Sequence, residues 1–361
     1  MLLPVVSSHS RQAHDRTAAG GYAKGPGPAG GMPGVRHDSS FGPAGLQAEV
    51  RPDPVASPAA ATSRPPASPP GDSPDLRVPL SQPPCVLHRL SAWDGLVLAA
   101  REWHRGDRLA PLLCLPGLVR TSADFVPVAQ SLGAGRRVVA VDYPGRGDSG
   151  RAADYHRYAP EACLRDILDI CAALHLHDAI GIGTSFGGLL CMGLAAVRPG
   201  LLRAVVLNDV GPEIGDGGAD YVRQFVATDP ALPDAAAGLA WLRERLPPLS
   251  LHSDEDWDTM LCLTFAPGPD GRWHPLWDTR IARLLDGRMP DLWSLFQALS
   301  HVKLLLVRGG VSNILLPDTV ARMQAMRPDM AVLTMPEIGH APTLAEPPVV
   351  ARLRDFLARI G

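Results

Sequence analysis

The sequence predicts an α/β fold, in which a mostly parallel central sheet carries helices on both of its faces. From about residue 86, short apolar segments typical of buried strands alternate with segments of helical apolar spacing. Loops that follow several of these strands are rich in glycine. Helical periodicity then replaces the alternation over about residues 213–300, before the strand pattern resumes. We expect that segment to form a helical lid inserted into the domain.

The segment before the alternating pattern, residues 1–84, contains 16 of the chain's 37 prolines. It shows no apolar periodicity, and such a composition buries too little apolar surface to offset the entropy lost on ordering. We therefore predict a disordered, proline- and glycine-rich extension followed by one domain over residues 85–361. The extension is interpreted as a passive addition or an upstream mis-assigned start, with a partner-binding tail as the alternative.

The predicted domain begins with a β-hairpin around the turn Asp94-Gly95, which is a strong hairpin signal. Short apolar segments predict six further strands, over residues 111–115, 137–141, 179–183, 203–207, 303–307 and 331–335. Helical spacing predicts intervening helices, over residues 121–132, 164–174, 189–197, 318–326 and 350–360. Since strands and helices alternate, neighbouring strands should run parallel and be covered on both faces.

The charge and cysteine content argue against several kinds of partner. A net charge of −3 gives no general attraction to nucleic acid or anionic lipid, so we expect neither. Six cysteines are scattered singly, which favours reduced core residues in a cytoplasmic protein, although one disulfide pair stays open. They are Cys85, Cys114, Cys163, Cys171, Cys191 and Cys262. The first apolar stretch covers only residues 2–6 and has no basic residues before it, so we expect no secretory signal.

The most informative motif is Gly-Thr-Ser-Phe-Gly at residues 183–187, between a predicted strand and a predicted helix. Gly-x-Ser-x-Gly in this context predicts a sharp turn that exposes the hydroxyl of Ser185. Side chains at Gly183 and Gly187 would collide with the adjoining strand and helix. A chance match is one alternative, and a membrane helix is another, because residues 179–197 carry no charge and fit Gly-x-x-x-Gly. Five glycines and the lack of basic or aromatic flanks favour the turn.

Three further motifs accompany this turn in order along the chain: Leu-Pro-Gly-Leu, Asp-Tyr-Pro-Gly-Arg-Gly-Asp-Ser-Gly and Gly-His-Ala-Pro, each after a predicted strand. Together they make residues 86–361 resemble the α/β-hydrolase superfamily. The resemblance implies Ser185 as nucleophile and His340 as the general base that takes its proton. It also implies an oxyanion hole formed by the backbone N–H groups of Leu118 and Phe186. Neither a metal nor a cofactor is implied.

The third member of the implied triad departs from the family pattern. Relatives place an aspartate on the loop after the strand predicted over residues 303–307, where this chain has Asn313. An amide holds the imidazole in place but does not stabilise the imidazolium by charge. Three outcomes stay open. In the first, Asp209, which follows the strand over residues 203–207, supplies the carboxylate. In the second, Asn313 serves alone in a slow hydrolase. In the third, the site is inactive.

The resemblance implies a serine hydrolase that cleaves an ester, lactone or thioester bond of a small molecule through an acyl-enzyme. The alternatives are a weak or inactive small-molecule receptor on the same fold, and a hydrolase of carbon–carbon bonds next to a carbonyl. Five tryptophans of the predicted lid are expected to wall an apolar pocket or to form the lid's own core. They are Trp241, Trp257, Trp273, Trp277 and Trp293. Substrate identity and oligomeric state do not follow from the sequence.

Overall fold

Eight strands form one sheet, and a two-stranded hairpin lies apart from it in the computed structural model, which describes residues 84–104, 106–286 and 291–360. The strands are β1 Val86–Ser91, β2 Val97–His104, β3 Leu112–Leu115, β4 Arg137–Asp142, β5 Ala179–Thr184, β6 Leu202–Asn208, β7 Phe265–Pro267, β8 Trp273–Pro275, β9 Lys303–Gly309 and β10 Ala331–Met335. The predicted extension lies outside the described residues except for its last position.

Nine α-helices accompany these strands in the described ranges. They are α1 Val126–Leu132, α2 Pro160–Ala173, α3 Phe186–Val197, α4 Asp216–Ala227, α5 Ala235–Arg245, α6 Asp254–Cys262, α7 Trp293–Gln297, α8 Pro317–Met326 and α9 Pro347–Ala358. The residues of the alternative membrane span, 179–197, form β5, the turn and α3. Within the described ranges, no helix has both the length and the apolar character needed to cross a bilayer.

The sheet has the strand order β1-β2-β4-β3-β5-β6-β9-β10. Only β1 with β2 and β2 with β4 pair antiparallel, and the other pairs within this sheet are parallel. Thr184 is paired with Asn208, and Asn208 with Val307, so β5, β6 and β9 end at the same edge of the sheet. Loops after these strands therefore meet there, which is where parallel sheets place their ligand sites.

Both faces of the sheet are buried, as near-continuous apolar strands require. Because side chains alternate along a strand, Val139 and Val141 pack on one face while Val138 and Ala140 pack on the other. The first face is covered by α2, α3, α7 and α8, and the second by α1 and α9. The prediction of a mostly parallel sheet with helices on both faces is confirmed.

The segment predicted as a lid contains α4 to α7, the hairpin of β7 and β8, and a 3₁₀ helix over Thr279–Leu285. Its tryptophans pack mainly into apolar clusters of the protein. Trp241, Trp257 and Trp273 join one cluster of this segment, and Trp277 packs with Val226 and Ile281 in a second. Trp293 joins the main core beneath the sheet. The lid's own core thus accounts for the first three tryptophans, whereas Trp277 and Trp293 pack in clusters that include residues outside this segment.

All six cysteines are free thiols, and four of them are buried. Burial raises the pKa of Cys171 and of Cys191 to about 12. These two thiols therefore stay protonated and pack as small apolar groups.

Candidate active site

Ser185 lies at the tight turn between β5 and α3, with φ of 51° and ψ of −119°. This backbone conformation is sparsely populated for a residue with a side chain, and such strain clusters at functional sites. The backbone N–H of Ser185 donates to the carbonyl oxygen of Asn208, 2.9 Å away, which ties the turn to the end of β6. The side chain is partly exposed.

Two glycines make this turn possible. A Cβ on Gly183 would lie 2.5 Å from the backbone of Gly187, and a Cβ on Gly187 would overlap the carbonyl oxygen of Leu115. Backbone atoms have little room to yield at such distances. The steric requirement that the sequence predicted for Gly183 and Gly187 is therefore confirmed.

A chain of hydrogen bonds joins Ser185, His340 and Asp209. His340 follows β10, and its Nε2 lies 2.9 Å from the Oγ of Ser185, while its Nδ1 lies 2.8 Å from Oδ2 of Asp209. An ionised carboxylate only accepts hydrogen bonds, so Nδ1 carries a proton and Nε2 is the acceptor for the serine hydroxyl. This is the tautomer that a general base next to a nucleophile requires.

Asp209 is fully buried directly after β6 and is held in place by the neighbouring strand. Its Oδ1 accepts from the N–H of Gly309 at 2.9 Å, and its own N–H donates to the carbonyl oxygen of Val307 at 2.7 Å. Its φ of 55° is a conformation that aspartate adopts more readily than most residues. One carboxylate oxygen is thus fixed by the backbone of β9, and the other faces His340.

Asn313 does not take this position. It lies on the loop after β9 with its side chain exposed, and no hydrogen bond joins that side chain to His340 in the described part of the chain. It does line a pocket to which His340 also contributes. The structure therefore brings Ser185, His340 and Asp209 together and leaves Asn313 beside them.

Asn208 connects the loops that carry these three side chains, and sequence reasoning missed it. Its amide Nδ2 donates to Thr184 Oγ1 at 3.0 Å and to the carbonyl oxygen of Pro342 at 2.8 Å. Thr184 precedes Ser185, Pro342 lies two residues after His340, and Asn208 itself precedes Asp209. The buried amide therefore fixes the separation of the serine turn and the histidine loop.

The two backbone N–H groups predicted to form an oxyanion hole are not used in hydrogen bonds within the described part of the chain. The N–H of Phe186 at the start of α3 and the N–H of Leu118 have no acceptor among the described residues. The carbonyl of Gly117, in the same peptide unit as the N–H of Leu118, accepts from the N–H of Arg120 at 3.1 Å. This hydrogen bond orients the Leu118 donor, since the two ends of a planar peptide point in opposite directions.

Arg146 is hydrogen-bonded to the loop that contains Leu118. The sequence places Arg146 in the glycine-rich motif but does not indicate this role. Its side chain is fully buried, its Nε donates to the carbonyl oxygen of Leu118 at 2.8 Å and its Nη1 to that of Pro144 at 2.7 Å. Its guanidinium lies 5.9 Å from the centre of the Phe186 ring. Burial lowers the pKa of Arg146. One guanidinium therefore contacts both residues whose N–H groups are predicted to form the oxyanion hole.

A pocket of about 250 Å³ opens beside His340. Its lining includes Tyr221 of α4, Arg245 at the end of α5, Pro247, and Asn313 and Ile314 after β9. None of the five tryptophans expected to wall a pocket lines this one. The pocket thus lies between the segment predicted as a lid and the strand ends of the sheet.

A serine paired with an imidazole and a buried carboxylate, on loops at the carboxyl edge of a mostly parallel sheet, is typical of α/β-fold hydrolases. The model of the alpha/beta hydrolase family matches residues 112–353, and the chain belongs to this family. It is therefore an enzyme of the α/β-hydrolase fold.

Individual relatives agree with this assignment. The chain is 32% identical to the 3-hydroxybutyrate-oligomer hydrolase of Cupriavidus necator over 286 residues, which cover 76% of this chain and 94% of that protein. It is 27% identical to the N-formylmaleamate deformylase of Pseudomonas putida over 243 residues, 65% of this chain and 83% of that protein. A crystal structure of an alpha/beta hydrolase from Novosphingobium aromaticivorans superposes with a TM-score of 0.72 at 36% identity, covering 76% of this chain and 98% of that one. These relatives support a hydrolase activity.

Proposed function

We propose that this enzyme is a serine hydrolase that cleaves an ester bond of a small molecule through an acyl-enzyme on Ser185. The observation that carries the proposal is the continuous hydrogen-bonded chain from Ser185 Oγ through His340 to Asp209. Three side chains from separate loops, joined at 2.8 and 2.9 Å, form the arrangement that activates a serine hydroxyl.

In the proposed reaction, Nε2 of His340 takes the hydroxyl proton of Ser185 as Oγ attacks the substrate carbonyl carbon. The developing oxyanion accepts hydrogen bonds from the N–H groups of Leu118 and Phe186. Asp209 stabilises the imidazolium, which then donates its proton to the departing alcohol oxygen. Water, deprotonated by His340, next attacks the acyl-enzyme, and Ser185 regains its proton as the acid product leaves.

The relative from Cupriavidus necator suggests which esters to test first. Its name gives an oligomer of 3-hydroxybutyrate as the substrate, and the units of such an oligomer are joined by ester bonds. Short linear esters of hydroxy acids are therefore the first substrate class for this chain. Lactones and thioesters, whose carbonyl carbons are open to the same attack by a serine oxygen, belong in the same panel.

The alternative, a non-catalytic receptor, rests on Asn313 at the usual acid position. With Asp209 hydrogen-bonded to His340, the imidazole has a carboxylate partner without Asn313. Cleavage of a carbon–carbon bond next to a carbonyl would use the same side chains, so an assay on a β-diketone or similar substrate separates it from ester hydrolysis.

Labelling with a fluorophosphonate probe tests the proposal. We expect the probe to modify the wild-type protein at Ser185, located by peptide mass spectrometry, and not to modify Ser185→Ala. Ester hydrolysis by Ser185→Ala should fall by about 10⁶-fold in kcat, as when a serine protease loses its nucleophile. A folded wild-type protein, checked by its thermal transition, that neither reacts with the probe nor cleaves any ester would favour the receptor.

A further inference from the structure

The pocket beside His340 has three polar side chains that the proposed hydrolytic chemistry does not use, and the hydroxyl of one of them, Tyr221, already donates to the carbonyl oxygen of Arg245. Of the other two, Arg245 lies at the carboxyl end of α5 and Asn313 on the loop after β9, so different elements contribute them. His340 contributes to the same lining, which places the pocket next to the proposed general base. A group bound there would belong to the substrate whose carbonyl reaches Ser185.

Arg245 is the charged side chain of this pocket. Its guanidinium lies 4.8 Å from the centre of the Trp241 ring, and its Nη1 donates to Glu244 at 2.6 Å. The ion pair with Glu244 is exposed, and such pairs contribute little. Its remaining N–H groups have no acceptor among the described residues, while stacking on Trp241 restricts its motion. A guanidinium with free donors suits a carboxylate, which it binds through two parallel hydrogen bonds.

Asn313 fits the same ligand. Its exposed side chain has no hydrogen-bond partner in the described part of the chain. An amide donates to a carboxylate, whereas an aspartate at this position would repel one. Because Asp209 already pairs with His340, residue 313 is free to be neutral. Binding of a carboxylate would therefore explain why this chain has asparagine at position 313, where its relatives have aspartate.

We propose that Arg245 and Asn313 bind a free carboxylate of the substrate, so that the enzyme prefers ester acids to neutral esters of the same shape. This inference rests on the proposed function, since the carboxylate must belong to a molecule whose ester reaches Ser185. The volume of about 250 Å³ lies below the usual range of about 300–1,000 Å³ for drug-sized ligands, which suits a short acid.

A matched pair of substrates tests the preference. One is the linear dimer of 3-hydroxybutyrate as the free acid, and the other is the same dimer with its carboxyl group converted to a primary amide. The readout is the ratio of kcat/KM for the acid to that for the amide. We expect a ratio of about 10 to 100 for the wild type, as for one charge-assisted hydrogen-bonded pair, and a fall toward about 1 in Arg245→Gln.

Two further variants sharpen the result. Arg243→Gln is the control, because Arg243 lies on the same helix, stacks on Trp257 at 4.6 Å and pairs with Asp254, yet does not line the pocket. It should keep the wild-type ratio. Asn313→Asp should lower the ratio by raising KM for the acid. If Asn313 instead supported His340, the same substitution would increase kcat for both substrates alike.

Binding measured without turnover separates this inference from the proposed function. In a Ser185→Ala background, calorimetric titration should give a Kd for the acid about 10-fold below that for the amide, and Arg245→Gln should remove the difference. Equal affinities and equal kcat/KM values for acid and amide would overturn the carboxylate site and leave ester hydrolysis standing. Selective acid binding by a wild type that cleaves no ester would instead contradict the hydrolase proposal alone.

Discussion

At the scale of single residues, Asn208 sets the geometry of the site although it contacts no reacting atom. Its amide spans the serine turn and the histidine loop, and its backbone carbonyl accepts from Ser185. A shift of the imidazole by one ångström is enough to reduce turnover strongly, because attack requires close alignment of the reacting atoms. Asn208 is therefore a positioning residue.

Asn208→Ala should lower kcat for a nitrophenyl ester by roughly 10- to 100-fold with little change in KM, because alignment is lost while substrate binding is not. The two unpaired acceptors should also reduce the free energy of unfolding by about 1–3 kcal/mol. Steady-state kinetics and denaturant unfolding measure the two effects. Thr184→Val, which removes one of the two acceptors, serves as the milder comparison. An unstable variant with unchanged kcat would make Asn208 structural only.

At the scale of elements, Asp278 fixes the 3₁₀ helix Thr279–Leu285 to the loop after β4. It caps this helix by accepting from the N–H of Arg280 at 3.0 Å, and it accepts from the hydroxyl of Tyr158 at 2.7 Å. Its own N–H donates to the carbonyl oxygen of Gly145 at 2.8 Å. The segment predicted as a lid is thus hydrogen-bonded to the glycine-rich loop that also holds Arg146.

Because the pKa of Asp278 is shifted in the folded protein, the stabilisation that this attachment provides depends on pH. Burial raises that pKa, but hydrogen bonds from Arg280 and Tyr158 lower it more, from 3.8 to about 2. Since the folded state holds the carboxylate ionised, the stabilisation is complete above about pH 4 and is lost as the pH falls through about 2. A difference of this size corresponds to about 2 kcal/mol.

Asp278→Asn should therefore reduce the free energy of unfolding by about 2 kcal/mol at pH 7 and flatten its dependence between about pH 4 and 2. Urea unfolding at a series of pH values measures both. Asp286→Asn is the control in the same segment, because its exposed carboxylate lies 3.9 Å from Arg223, and it should change stability by less than about 0.5 kcal/mol. Parallel pH profiles for wild type and Asp278→Asn would contradict the assigned attachment.

At the scale of the whole molecule, the architecture follows from the sequence because each main strand is a separate apolar segment with a glycine-rich or polar end. The strand predicted over residues 331–335 is observed as Ala331–Met335, and that over residues 179–183 extends by one residue. The hairpin of β7 and β8 was not predicted as strands. Its three-residue strands are too short for a period of two to be recognised, and they lie in the segment expected to be helical.

The site was less predictable than the fold. Ser185 and His340 are marked by local motifs, whereas the choice between Asp209 and Asn313 depends on which strand end lies against the histidine loop. The course of the loop after β10 decides this, because Pro342 of that loop is hydrogen-bonded to Asn208 and His340 thereby reaches Asp209, and no local pattern encodes it. Asn208 and Arg146 act through contacts with residues far away in the sequence, so their positions became evident only in the folded chain.

The central claim is that Asp209, and not Asn313, supports a catalytic His340 beside Ser185. It is tested most directly by comparing kcat for a neutral nitrophenyl ester at pH 7 in Asp209→Asn and Asn313→Ala, with thermal transitions confirming that both variants fold. Loss of the charged partner should lower kcat by about 10⁴-fold in Asp209→Asn, as for the analogous change in a serine protease, while Asn313→Ala should lose far less. Small and similar losses in the two variants, or a larger loss in Asn313→Ala, would contradict the account.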